Sequence, residues 1–157
     1  MGSSHNRATV LAVVVLAATA AGCTRTVKPR EFAGLEQALH GHWSSTRDVV
    51  LPAGSDPWDV SRGVEQEHVE IDRYIDARSE PKAWSEQEGE RTWRTVSQDA
   101  ATGDIVVETW PLAAPADAST TVLRFDRTQN RMWEQSPKNE RGGRLRAWDY
   151  INDEAHP

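Results

Sequence analysis

Cys23 carries the only thiol in the chain, and it ends an apolar run, residues 8–22, that contains no charged side chain. With no second cysteine an intramolecular disulfide is impossible, so this thiol either stays free or is modified. The run is shorter than the roughly 20 apolar residues of a membrane-spanning helix, and it is typical of the apolar part of an export signal. The sequence therefore predicts an exported protein with a single reactive thiol close to the processing site.

Ala20, Ala21 and Gly22 stand directly before Cys23, and the four residues resemble the lipobox of bacterial lipoproteins. In that family the cysteine is thioether-linked to diacylglycerol and becomes the first residue once the signal peptide is cut. The resemblance implies a signal peptide at residues 1–22, a lipid on Cys23, and a membrane as the partner of that lipid.

Thr24 follows the cysteine, at the place where an aspartate retains lipoproteins of enteric bacteria in the inner membrane. The resemblance thus implies an outer-membrane anchor that faces the periplasm. Two alternatives remain open: ordinary secretion, because residues 18–20 also satisfy the A-x-A cleavage rule, and an uncleaved membrane anchor. Residues 23–34 are interpreted as a tether between the anchor and the folded domain.

His40 and His42 are separated by one residue, so a strand would place both on one face, where they could bind a metal ion. No third ligand is close to them in sequence. The stretch EQEHVEID, residues 65–72, could bind a cation or take part in acid–base chemistry. We expect both groups to be solvated surface, with no metal and no cofactor.

Catalytic sequence motifs are absent. The sequence contains no G-x-S-x-G, P-loop, H-E-x-x-H or G-x-G-x-x-G motif, so no catalytic residues are predicted and no enzyme is expected. The formal net charge is −6, which disfavours a nucleic-acid partner because phosphate binding needs a concentrated basic face. The chain has 7 tryptophans, which must supply much of the buried area of a small core.

Short apolar runs separated by turn residues predict the elements that position these groups. Residues 31–40 are predicted to form a short helix, because apolar side chains recur there at helical spacing. The stretch 64–77 fits a helix or a strand, and its Val and Ile content favours a strand. DAATG, residues 99–103, predicts a hairpin turn with its glycine in the left-handed region. We expect a mainly β domain over 35–151, a small antiparallel meander barrel or curled sheet of roughly six or seven strands, and a disordered tail at 152–157.

The short helix, the GHW stretch that begins the first strand, and the hairpins that follow resemble the lipocalin-like (calycin) class. The G-x-W motif of that family falls on Gly41 and Trp43. The resemblance implies that the glycine lets the chain pass close beneath the barrel and that the tryptophan closes its floor. It also implies that a basic residue from the last strand lies across this tryptophan, a role that Arg146 or Arg144 could fill.

These features together predict a membrane-anchored lipoprotein of the bacterial cell envelope with a non-catalytic binding role. The ligand would be a small apolar molecule or an envelope component, held in the barrel. The alternative is a protein-binding module, such as an assembly factor or a hydrolase inhibitor, that acts through the loop 52–63. Trp58 in that loop is predicted to be exposed and to contact the partner.

Overall fold

A computed structural model describes residues 30–139 and 142–154, except the side chains of residues 137–139 and 142. One short helix precedes eight strands, and a single 3₁₀ turn, Val60–Arg62, lies between the first two strands. The elements are α1 (Leu35–Ala38), β1 (Gly41–Val50), β2 (Val64–Asp76), β3 (Lys82–Glu86), β4 (Gly89–Asp99), β5 (Asp104–Pro111), β6 (Ser119–Asp126), β7 (Arg131–Asn139) and β8 (Gly142–Asn152).

The strands form a closed antiparallel barrel in which each strand pairs with the next along the chain and β8 pairs with β1. Short connections and alternating side chains favour this meander, because neighbouring strands can pair as soon as they are made. The predicted mainly β fold with a short N-terminal helix is confirmed. The barrel form is also confirmed, in preference to a curled sheet.

The strand β3 is the one that the sequence pattern hides. Its five residues, KAWSE, lie inside a polar stretch that is typical of a loop, and only Trp84 is large and apolar. Trp84 lies opposite Ile75 of β2, and Glu86 lies opposite Arg73. The second of these two pairs is therefore charged instead of apolar. Since alternation of apolar and polar residues is the local signal for a strand, a strand with a charged inner residue escapes it.

The helix is shorter than the sequence predicts. Gly34 precedes its first residue as the N-cap, and α1 makes a single turn before Leu39 ends it. The predicted hairpin between β4 and β5 is present, and Gly103 has a φ of +81°. A Cβ at Gly103 would lie 2.7 Å from the carbonyl oxygen of Phe125, so the turn needs glycine for both conformation and space.

One half of the barrel interior is filled by apolar side chains, and we call the end that α1 covers the closed end. The helix and all eight strands contribute to this core, and burial of these side chains is the main stabilising term for a domain of this size. The buried members are Leu35, Ala38, Leu39, Trp43, Ile75, Trp84, Trp93, Ile105, Val107, Leu123, Phe125, Met132 and Trp148.

The opposite end, where the chain turns from β3 to β4 and from β5 to β6, is the mouth of the barrel. The loop 51–63 does not close it. Instead Leu51 and Trp58 of this loop pack on the outside of the wall against Val49, Leu145 and Trp133, forming a second, smaller apolar cluster. This arrangement leaves the interior at the mouth to polar side chains.

Candidate functional site

Arg73 lies in the barrel interior, on β2 opposite Trp43 of β1, and is only 5% exposed. Its guanidinium carbon lies 4.1 Å from the centroid of the Trp84 ring and 4.0 Å from that of Trp148. The two indoles thus hold the cation between their faces. An arginine suits this place because its flat, weakly hydrated guanidinium stacks on aromatic rings more readily than an ammonium does.

Two carboxylates complete this group, which we call the Arg73 cluster: Arg73, Trp84, Glu86, Glu134 and Trp148. Arg73 donates to Glu86 through Nε and to Glu134 through Nη1, the latter at 3.0 Å. The indole N–H of Trp84 donates to the same Glu86 oxygen at 2.6 Å, and that of Trp148 to the same Glu134 oxygen at 2.7 Å. The buried charge is therefore compensated on every side, which is the condition for keeping it in a barrel interior.

In each carboxylate of the cluster, only one of the two oxygens takes part in the hydrogen bonds of the cluster. Oε2 of Glu86 and Oε1 of Glu134 accept no hydrogen bond from the described residues. The two side chains are 23% and 17% exposed, so both oxygens remain accessible to a donor that enters from the mouth. The two carboxylates can thus bind hydrogen-bond donors without releasing Arg73.

Arg91 is the second cation of the mouth, and its partners are hydroxyl groups. Its Nε donates to Oγ1 of Thr109 and its Nη2 to Oγ of Ser119, each at 3.1 Å. Within residues 30–139 and 142–154, no acidic side chain forms an ion pair with it. A half-buried guanidinium that lacks an anion is able to bind a carboxylate or another anionic group.

Arg91 and the members of the Arg73 cluster other than Trp148 line a common cavity of about 150 Å³ at the mouth. Two cations and two anions surround it, so it has no net charge of its own. The cavity has room for a small polar group, and its walls offer both donors and acceptors. The other lining residues with hydroxyl groups are Thr109, Ser119 and Thr121.

A second charged group lies on the wall beside the Arg73 cluster. Asp48 is buried and accepts two hydrogen bonds from Arg146, at 2.9 and 3.3 Å, and Nη1 of Arg144 lies 3.6 Å from it. The carboxylate of Asp48 raises the pKa of Arg146 above its usual value, mainly through these hydrogen bonds. The pairing holds β8 against β1 where the barrel closes.

Ser45 and His68 lie within hydrogen-bond distance of each other in the barrel wall beside Asp48. Nδ1 of His68 lies 2.8 Å from the carbonyl oxygen of Val69. Nε2 lies 3.3 Å from the hydroxyl oxygen of Ser45 and 3.5 Å from Oδ1 of Asp48. Ser45 is only 1% exposed, so its hydroxyl is buried in the barrel wall.

The two residues of the G-x-W motif lie at the floor of the barrel. Trp43 is fully buried, donates its indole N–H to the carbonyl of Leu39 at 2.8 Å, and packs edge-on against Phe125 and Tyr150. Gly41 has a φ of +132°, and a Cβ there would lie 2.7 Å from Cε2 of Tyr150. The motif therefore positions the chain and the ring beneath the interior, away from the mouth.

Arg30 is the cation that lies over Trp43. Its guanidinium carbon is 5.7 Å from the Trp43 ring and 3.7 Å from the Tyr150 ring, and it donates to the carbonyls of Ala38 and His40. The structure places this arginine before α1, whereas the resemblance implied one from the last strand. Arg146 faces the interior too, but it pairs with Asp48 and not with Trp43.

Trp58 is half-buried, so its predicted exposure is only partial. It packs in the outer apolar cluster, and the guanidinium carbon of Arg124 lies 4.3 Å from its ring. Arg124 is itself tied to Asp104 by two hydrogen bonds. These contacts give Trp58 a packing role, and contact with a partner protein stays a prediction.

His40 and His42 are buried, with exposures of 4% and 7%, so the prediction that they are solvated is wrong. His40 precedes β1 and accepts the backbone N–H of Ala77 at 3.3 Å, and burial lowers its pKa, which keeps it neutral. His42 lies 3.3 Å from the carboxylate of Asp72. No group of three possible metal ligands occurs in the part of the chain that the structure describes.

The residues of the Arg73 cluster were not predicted from the sequence as a site. One signal was available: Arg73 alternates with Ile71 and Ile75 on β2, so an arginine shares the apolar face of a strand. Its partners carry no comparable signal, because Glu86 lies in the hidden strand β3 and Glu134 belongs to a distant strand. Only the closed sheet brings the three charges together.

Cys23 and the rest of residues 1–29 lie outside the described residues, as do the last three residues of the predicted tail. The part of the tail that is described contributes Asp153, which accepts the hydroxyl of Tyr150 at 2.8 Å. Among the described residues, no helix is long and apolar enough to cross a membrane.

Comparison with protein-family models, with curated proteins and with solved structures finds no significant match for this chain.

Proposed function

We propose that this protein is a non-catalytic binding protein of the bacterial cell envelope, held at a membrane by a lipid on Cys23, and that its barrel mouth binds a small polar ligand. The observation that carries the proposal is the mouth cavity, where Arg91 has no ion pair with a described residue and two carboxylate oxygens accept no hydrogen bond from one. The ligand would be a free molecule or an exposed group of an envelope component.

Burial costs favour a polar ligand over an apolar one. The closed half of the interior is already filled by side chains, and the remaining space is bordered by charged groups. An apolar molecule in the mouth would remove water from Arg91, Glu86 and Glu134 without replacing their hydrogen bonds, at about 1–3 kcal/mol for each unsatisfied group. An amphoteric ligand, with an anionic group for Arg91 and donor groups for the glutamates, avoids this cost.

The proposed anchor suits a ligand that arrives from the periplasm. Arg30, the first described residue, lies at the closed end, where it contacts Trp43 and α1. The residues between Cys23 and Arg30 span at most about 25 Å when fully extended. A lipid on Cys23 would therefore hold the closed end toward the membrane and leave the mouth free, in keeping with the outer-membrane address proposed from Thr24.

Two arrangements support a non-catalytic role. The Ser45 hydroxyl, which has a histidine beside it, is buried in the wall. The hydroxyl of Thr109, which borders the cavity, contacts Arg91 and Ser119, and no carboxylate or imidazole of the described residues is hydrogen-bonded to it as a general base. Neither group meets the requirement of an accessible nucleophile.

Tryptophan fluorescence tests the mouth, because Trp84 and Trp148 lie beside the cavity. Glycine, L-glutamate and L-lysine serve as amphoteric probes, and laurate serves as the apolar probe. We expect a saturable change with at least one amphoteric probe that is lost in Arg91→Gln. Arg94→Gln is the matched control, since Arg94 lies on the same strand but is exposed and pairs with Glu108 outside the barrel. A response to laurate alone, or no response to any amphoteric probe, would contradict the proposal.

Metabolic labelling tests the anchor. We expect labelled palmitate to be incorporated into the wild-type chain and not into Cys23→Ala, and the variant to leave the membrane fraction. Equal labelling of the two chains would exclude lipidation at Cys23 without bearing on the mouth.

A further inference from the structure

The strand β2 extends well beyond its neighbour β3. It pairs with β1 from Val64 to Ile75, but with β3 only from Arg73 to Asp76. Residues 64–72 therefore have a neighbouring strand on one side only. At about 3.4 Å per residue, this free edge is roughly 30 Å long.

The free edge presents backbone groups that a further strand could use. In an antiparallel sheet every second residue directs its N–H and C=O away from a given neighbour, so alternate residues direct them away from β1 in the two segments that are in register with it, 64–67 and 71–72. An irregularity in the pairing separates these segments at residues 68–70. All of residues 64–72 except His68 and Ile71 are exposed. Edges of this kind accept an extended polypeptide by strand addition.

The side chains on the edge determine which polypeptide fits. Glu65, Glu67, Glu70 and Asp72 are acidic, and the stretch contains no Lys or Arg. Arg47 of β1 lies 3.5 Å from Glu65, whereas Glu67 has no ion pair with any described residue. Val69, between the acids, is 87% exposed and offers an apolar contact.

A second copy of this chain is a poor occupant of the edge. Pairing β2 with β2 of another molecule would set acidic side chains opposite acidic side chains, and like charges in cross-strand positions are destabilising. An extended segment with alternating Lys or Arg would instead place cations beside one pair of acids, such as Glu65 and Glu67, while its backbone completes the ladder.

We propose that residues 64–72 of β2 are a docking edge for an extended, Lys/Arg-rich segment of another protein, which adds to the barrel wall as a ninth strand. The edge ends at Arg73 and Glu86, so the added strand runs beside the mouth without entering the cavity. This interaction is separate from ligand binding at Arg91, and each can fail without the other.

Binding of a fluorescein-labelled peptide of alternating lysine and threonine, about eight residues long, tests the edge by anisotropy. A second peptide of the same sequence carries N-methyl groups on alternate amides, so it keeps the charge but cannot complete a ladder. We expect the unmodified peptide to bind and the methylated peptide to bind about tenfold more weakly, which is about 1.4 kcal/mol. Equal affinities of the two peptides would show that surface charge alone explains the binding, and this would overturn the proposal. The absence of binding would overturn it as well.

The variant Glu67→Lys tests whether the peptide binds at the edge. Glu67 has no ion pair to lose, so the fold should persist, and we expect a several-fold loss of peptide affinity. Glu88→Lys is the control, because Glu88 is an exposed acid in the turn between β3 and β4. Equal losses in the two variants would contradict an edge site, and so would a dimer in solution whose stability Glu67→Lys changes, because a second copy would then occupy the edge.

Discussion

The two halves of the barrel interior are filled by different kinds of side chain, apolar ones at the closed end and charged ones at the mouth. At the closed end Trp43 packs among Phe125 and Tyr150, and its N–H needs only the carbonyl of Leu39. At the mouth Trp148 packs against a cation and gives its N–H to Glu134. The first arrangement stabilises by removing apolar surface from water, whereas the second must first offset the desolvation of three charges. We infer that the closed half contributes more to stability than the mouth does.

Trp43→Ala should have the largest effect. It removes a fully buried indole and leaves a cavity that the rigid barrel floor does not refill, so we expect a loss of about 3–5 kcal/mol in the free energy of unfolding. Urea denaturation followed by circular dichroism measures it. A loss of less than about 1 kcal/mol in the free energy of unfolding would show that the closed half is not the main source of stability.

Arg73→Met should lower the free energy of unfolding less than Trp43→Ala does, and further substitutions should restore most of the loss. The methionine leaves Glu86 and Glu134 facing each other without their cation, and we expect a loss of about 2–3 kcal/mol, below the range for fully buried pairs because both carboxylates are partly solvated. Adding Glu86→Gln and Glu134→Gln removes the unpaired charges and should restore most of the loss. If the triple variant were no more stable than Arg73→Met, the mouth charges would be stabilising in themselves.

Gly41→Ala compares a glycine at the floor with one at the mouth. Gly41 and Gly89 have similar φ values, +132° and +128°, but only the first is crowded, by Tyr150 and by the carbonyl of Asn152. Both variants should lose stability through backbone strain, on the order of 1–3 kcal/mol, and Gly41→Ala should lose more. Thermal unfolding of the two variants gives the difference, and equal losses would show that close packing at Gly41 contributes nothing.

His40 should give the smallest effect, visible as a pH dependence. Burial lowers its pKa, and the nearby Arg78 acts in the same direction. As the pH falls, the histidine therefore binds a proton in the unfolded chain before it does so in the folded chain. Stability is then complete above the ordinary histidine pKa near 6.5 and declines as the pH falls below it. Urea midpoints at pH 7.5 and 5.5 should differ more for wild type than for His40→Gln. The same difference in both chains would assign the pH dependence to other groups.

Much of the fold could be predicted because its signals are local. Alternating apolar residues, the glycine at position 103 and the helical spacing before β1 each depend on a few neighbouring residues. The missing strand was β3, in which Trp84 is the sole large apolar residue and Glu86 faces inward. Helix length was overestimated because Gly34 interrupts the apolar spacing and becomes the N-cap.

The candidate site could not be predicted in the same way, because its members are far apart in sequence. Arg73 meets Glu134 across 61 positions, and Asp48 meets Arg146 across 98. Arg30 reaches Trp43 from before the helix, although the family resemblance implied an arginine from the last strand. Each of these contacts depends on how the sheet closes, which no short stretch of sequence encodes.

By itself the sequence determined the mainly β character of the chain, the G-x-W stretch at the start of the first strand, and the one cysteine at the end of an apolar run. These follow from residue type and short-range spacing, which act on the chain before it folds. The closure of β8 on β1 decided the rest: which charges share the interior, that the mouth is polar, and that β2 keeps a free edge. Closure fixes the register between distant strands, and register alone decides which side chains meet inside a barrel.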